Sequence, residues 1–99
     1  MTKNLLVLGS VFLLGACAYT CSGQFEDANK HLLTTAESVY AARSSGSITT
    51  EESMSYQLRI EDAYTDVSEG SALCDTDEEA AAAKFDEAED ALDAIDNEL

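Results

Sequence analysis

The chain of 99 residues carries three cysteines, one histidine and 20 acidic side chains with which to do chemistry. An odd number of cysteines (Cys17, Cys21 and Cys74) asks for an explanation. Asp75-Thr76-Asp77 opens like a calcium loop. Such a loop needs Gly at its sixth position and Glu at its twelfth, where this chain has Ala80 and Asp86. No cation loop is expected there. Pairs such as Glu87/Asp90 have a spacing that suits two-carboxylate catalysis, but on so acidic a helix they read as a solvated face. A single histidine cannot build a His-rich metal site, and His31, beside Leu32, reads as a partly exposed helix residue. No nucleophile elbow and no glycine-rich phosphate loop occurs. The expectation is a non-catalytic protein without metal or small-molecule cofactor.

The elements begin with a change of character. Residues 1–24 contain one charge, Lys3, and all 20 acidic residues lie from Glu26 onward. The run from Leu5 to Leu14 is almost wholly apolar. It is too short for a bilayer span, which takes about 20 apolar residues. It suits the apolar core of a signal peptide, about 7–15 residues behind a positive start. Small residues then follow, as a processing site requires.

Leu14-Gly15-Ala16-Cys17 resembles a bacterial lipobox, an aliphatic residue and two small ones before the cysteine that is modified. The resemblance covers residues 1–17. It implies a diacylglycerol on the Cys17 thiol, cleavage just before Cys17 and acylation of the new amino terminus. Two or more acyl chains hold a protein on a membrane, where one gives only marginal binding. The residue after the cysteine is Ala18, which is similar to the outer-membrane sorting pattern of enterobacterial lipoproteins. The rival reading is Ala16-Cys17-Ala18 as an ordinary A-x-A cleavage site, which releases a soluble protein. The expected organisation is a signal peptide over residues 1–16, a lipid-anchored tether over 17–23 and an acidic helical bundle over 24–99.

Either cut leaves Cys21 and Cys74 as a pair in an oxidising compartment. An intramolecular bond between them closes a loop of about 50 residues, for a chain-entropy stabilisation of about 4 kcal/mol. Two unrelated thiols and a bond between two copies are the alternatives. A small mature chain has reason to use such a staple, because its hydrophobic core alone is marginal.

The body reads as all-α, a three-helix bundle. No proline occurs, so nothing breaks a helix on that account. Phe25, Ala28, Leu32, Thr35 or Ala36, Val39 and Ala42 recur in steps of three and four, one face of a helix from about Gln24 to Arg43. Gly46 in Ser44-Ser45-Gly46-Ser47 supplies a turn. Thr49-Thr50-Glu51-Glu52 fits a capping box for helix two. Its stripe is Tyr56, Ile60, Ala63, Tyr64 and Val67, with Gly70 as the expected stop. Met54 and Leu58 lie on the other side of that helix, either as scattered surface residues or as a second contact face. Thr76-Asp77-Glu78-Glu79 fits a second capping box. Ala81, Phe85, Ala88, Leu92, Ile95 and Leu99 then keep a heptad rhythm, too short to demand a coiled coil and better read as internal packing. Asp93, Asp96 and Glu98 oppose the dipole at the end of helix three, so its last turn should fray. In an up-down-up bundle, Cys21 and Cys74 fall at the same end.

The net charge of −15 excludes nucleic acid, which needs clustered Lys and Arg. It attracts basic proteins or diffuse cations, though most of it serves solubility. The lipobox, the Gly46-Ser47-Ile48-Thr49 turn and the alanine-rich helices resemble the short lipoproteins of bacteria, phages and prophages. That implies a periplasmic-face protein, on the outer membrane by the Ala18 pattern, that contacts an envelope protein of basic or coiled-coil character. Phage outer-membrane spanin subunits are similar in size and lipobox, but many are proline-rich. Superinfection-exclusion lipoproteins are a further match. The ending Asn97-Glu98-Leu99 lacks the lysine by which the major outer-membrane lipoprotein is linked to peptidoglycan, so no covalent wall link is expected.

Overall fold

The computed structural model describes the backbone from Leu13 to Leu99 and the side chains from Cys21 onward. The apolar run through Phe12, and the side chains of Leu14, Gly15, Ala16 and Cys17, lie outside the described residues. The described chain is three helices, α1 (Leu13–Ser45), α2 (Thr50–Leu73) and α3 (Glu78–Glu98). Each packs on the other two, in a slender bundle of 55 × 23 × 14 Å. Among the described residues no helix is long and apolar enough to cross a membrane.

Helix α1 starts earlier than its apolar stripe suggests and includes residues 17–23, assigned to the tether. The reason is tertiary: Cys21 is buried and bonded to Cys74, so among the described side chains the core already includes a residue ahead of the stripe's first member. Helix α1 ends where expected. Gly46 takes φ 83°, a left-handed conformation that costs glycine nothing, and Ser47 N–H donates to Ala42 O at 2.9 Å. The Thr49 capping box is formed in both directions, Glu52 N–H to Thr49 Oγ1 at 3.0 Å and Thr49 N–H to Glu52 Oε1 at 2.8 Å.

Gly70 does not end α2, which runs on to Leu73. A Cβ at Gly70 would stand 2.8 Å from the Phe85 ring. The glycine is there because the ring of α3 approaches the α2 backbone, not because the chain must turn. The α3 cap is also shifted by one residue. Thr76 and Asp77 both donate to Leu73 O, at 3.1 and 2.7 Å, and so belong to the turn that closes α2. Asp77 is left as the cap, accepting from Ala80 N–H at 3.0 Å.

The core is Ala28, Leu32, Thr35 and Val39 of α1, Ile60, Ala63 and Val67 of α2, and Ala81, Phe85, Ala88, Leu92 and Ile95 of α3. The heptad stripe of α3 is therefore used inside the bundle. Two stripe members fall outside it: Tyr64 is 57 % exposed and Leu99 is 43 % exposed. Tyr64 sits one position past Ala63, on the outer flank of the α1-facing side. Phe25 meets Phe85 edge-on, with centroids 6.4 Å apart.

Candidate functional site

Three places bring chemistry-bearing residues together, and the seam between α1 and α3 brings the most. His31 and Thr35 are one turn apart on α1 and face Glu89, Asp93 and Asp96, which succeed one another by four and three residues on α3. His31 Nδ1 is bonded to Glu89 Oε1. His31 Nε2 lies 2.7 Å from Asp96 Oδ2 and 3.6 Å from Asp93 Oδ1. Thr35, fully buried, donates its hydroxyl to Asp96 Oδ1 at 2.9 Å.

Both ring nitrogens thus meet carboxylate oxygens, which only accept when ionised, an arrangement that favours the doubly protonated ring. The electrostatics agree. Partial burial works against the charge, but hydrogen bonds to Glu89 and Asp96, and the negative field of those carboxylates, outweigh it and hold His31 above its ordinary 6.5. The two ring nitrogens and the Thr35 hydroxyl thus form one network of charge-assisted hydrogen bonds with Glu89 and Asp96.

A raised folded pKa means that the cluster's contribution to stability is fully present below the unfolded value of about 6.5 and is lost as pH rises through the folded value. Thermal melts in chelator from about pH 6 to about pH 9 should fall on the alkaline side. His31→Gln should be less stable near pH 6 and should flatten that fall. An equal fall in His31→Gln would assign it to other groups.

The second place ties α2 to the end of α3. Arg59 makes two parallel hydrogen bonds to Glu98, both 2.9 Å, and stacks over Tyr56 with 5.4 Å to the ring centre. With Leu99 N–H donating to Ile95 O at 3.1 Å, this clasp and the Asp96 contacts keep the last turn of α3 helical. The helix runs to Glu98, and a cross-helix cation supplies the positive charge that its own last turn lacks. Higher up, Lys84 reaches Glu69 at 2.9 Å and Asp66 at 3.9 Å across the same pair of helices.

The third place is an outer face. Ala36, Val39 and Tyr40 of α1 and Gln57, Ile60 and Glu61 of α2 line a groove of about 220 Å³. Of its lining residues Tyr40 stands exposed, and Leu33 and Tyr64, one turn from Ala36 and from Ile60 along their helices, are exposed as well. Met54 and Leu58 of α2 are 59 % and 63 % exposed.

Of the residues singled out in the sequence, the structure joins Cys21 to Cys74, with Cα atoms 6.0 Å apart, and leaves Met54 and Leu58 facing solvent. The seam around His31 was missed. The signal for it was Glu89 and Asp96, one heptad apart, flanking the apolar positions Ala88, Leu92 and Ile95. Their partner on α1 is visible only once the helices are docked. No protein-family model, no curated protein and no solved structure matches this chain, so its function is argued from its own residues.

Proposed function

We propose that this protein is a lipid-anchored contact protein of the bacterial envelope, tethered through Cys17 and acting without catalysis. The observation that carries the proposal is the Cys21–Cys74 bond. It accounts for two of the three cysteines, suits an oxidising compartment, and leaves Cys17 to the lipobox Leu14-Gly15-Ala16-Cys17. The bond also lies at the anchor end. Cys17 is four residues, about one helical turn, before Cys21, so the disulfide end of the bundle faces the lipid and the α1–α2 turn points away from it.

The same reading says where contact is made. The apolar stripe of α3 is used internally, and that argues against a coiled-coil partner on that helix. The exposed Leu33, Tyr40 and Tyr64, with Met54 and Leu58 beside them, form the apolar surface left for an envelope protein. Spanin and superinfection-exclusion roles share this tether and differ only in partner; induced expression that leaves host cells intact counts against the spanin role.

The test is the intact mass of the protein in the membrane fraction of expressing cells, beside Cys17→Ser. A species that begins at Cys17 with added acyl mass, absent in the variant, is the expected result. A soluble species beginning at Tyr19 would end the lipoprotein reading.

A further inference from the structure

The α1–α3 seam has the makings of a metal site built on a single histidine, whose carboxylate partners lie on another helix. His31 Nε2 and one carboxylate oxygen each of Asp93 and Asp96 all lie within 4.8 Å of one another. We propose that these three atoms bind one divalent transition-metal ion of the Zn²⁺ type, with water in the remaining positions.

The donor set points to that class. One imidazole nitrogen with two carboxylate oxygens suits Zn²⁺ and its neighbours, whereas Mg²⁺ and Ca²⁺ take oxygen ligands alone. The spacing is within reach of such an ion, the three donor atoms lying within 4.8 Å of one another. Donor atoms at about 2.0–2.1 Å from a tetrahedral ion stand about 3.3 Å apart. Asp93 Oδ1 is 3.6 Å from Nε2. Asp96 Oδ2 at 2.7 Å must open by well under 1 Å, which a small rotation of its side chain provides as the ion takes the place of the Nε2 proton.

The surroundings orient these donors. Glu89 holds Nδ1, so the ring presents Nε2 to the two aspartates. A carboxylate on the far nitrogen is the usual support of a metal-binding histidine, and its loss costs 10–100-fold in affinity. Thr35, buried in the core, grips Oδ1 of Asp96 and leaves Oδ2 for the ion. Asp93 is the informative member. Its side chain is 66 % exposed and stands beyond hydrogen-bond reach of the ring, so the fold gains little from it. An ion would gain its third protein ligand.

That difference separates a metal site from an ion pair. Chelator-washed full-length protein, disulfide intact, is titrated with Zn²⁺ by calorimetry, with native mass spectrometry for stoichiometry. One equivalent should bind. Asp93→Asn should weaken binding at least tenfold without changing the melting temperature of the metal-free protein, and Glu89→Gln should weaken it about 10–100-fold. Excess Mg²⁺ should not compete. Absence of binding overturns the proposal. So does binding that persists equally in Asp93→Asn and His31→Gln or yields to Mg²⁺, since either marks diffuse attraction to an acidic surface. The outcome is independent of whether Cys17 is lipidated.

Discussion

Replacing both Cys21 and Cys74 with alanine lowers the stability of the bundle by about 4 kcal/mol. The bond closes a sequence separation of 53 residues, and most of its effect is on the unfolded chain, whose freedom the bond restricts. It joins the buried Cys21 of α1 to the turn between α2 and α3, so the oxidised chain is a closed ring around the core. A loss of this size is a large share of the roughly 5–15 kcal/mol that holds typical domains folded. Urea unfolding of the oxidised protein and of the double variant, followed by helical circular dichroism, measures it. The double alanine variant is preferable to reductant alone, because it leaves no thiol in the core, where Cys21 is 5 % exposed. A difference below about 1 kcal/mol would mean that the unfolded chain already keeps these ends together.

Phe85→Ala costs about 3–5 kcal/mol, the range for removing a buried aromatic ring. Phe85 is 2 % exposed, meets Phe25 edge-on and lies against the backbone of Gly70. It is therefore the point where all three helices touch one side chain. Gly70→Ala tests the same contact from the other side. Alanine in a helix is favoured over glycine by about 1 kcal/mol, yet a Cβ here would stand 2.8 Å from the ring. The clash should outweigh the propensity, for a net loss of about 1–2 kcal/mol. In a Phe85→Leu background the same substitution should become neutral or stabilising. A double-mutant cycle reads the difference as a coupling energy. Gly70→Ala that stabilises the unaltered protein would show that the ring moves aside freely.

Much of the bundle was legible in one dimension. Three amphipathic stripes, the turn at Gly46 and the Thr49–Glu52 capping box depend on residues within a turn or so of each other, and local rules suffice for them. Topology favoured the pairing of Cys21 with Cys74, since an up-down-up bundle brings their two positions to one end, and the structure joins them. The departures have a common cause. The start of α1, the role of Gly70, the exposure of Tyr64 and the order at the end of α3 all turn on what lies across a helix interface. Gly70 is an example: the same residue stops a helix when nothing approaches it and permits a contact when a ring does.

The candidate site shows the same division. Its residue types were in view, but His31 looked solitary and Glu89, Asp93 and Asp96 looked like a solvated face. The sequence by itself determined that this chain folds as acidic amphipathic helices, because composition, periodicity and capping act locally. Only the tertiary structure decided which cation each acidic stripe meets. Residues 58–65 positions apart in the chain, as His31 is from Glu89 and Asp96, become neighbours through the rotation and register of one helix on another, and no local pattern encodes those.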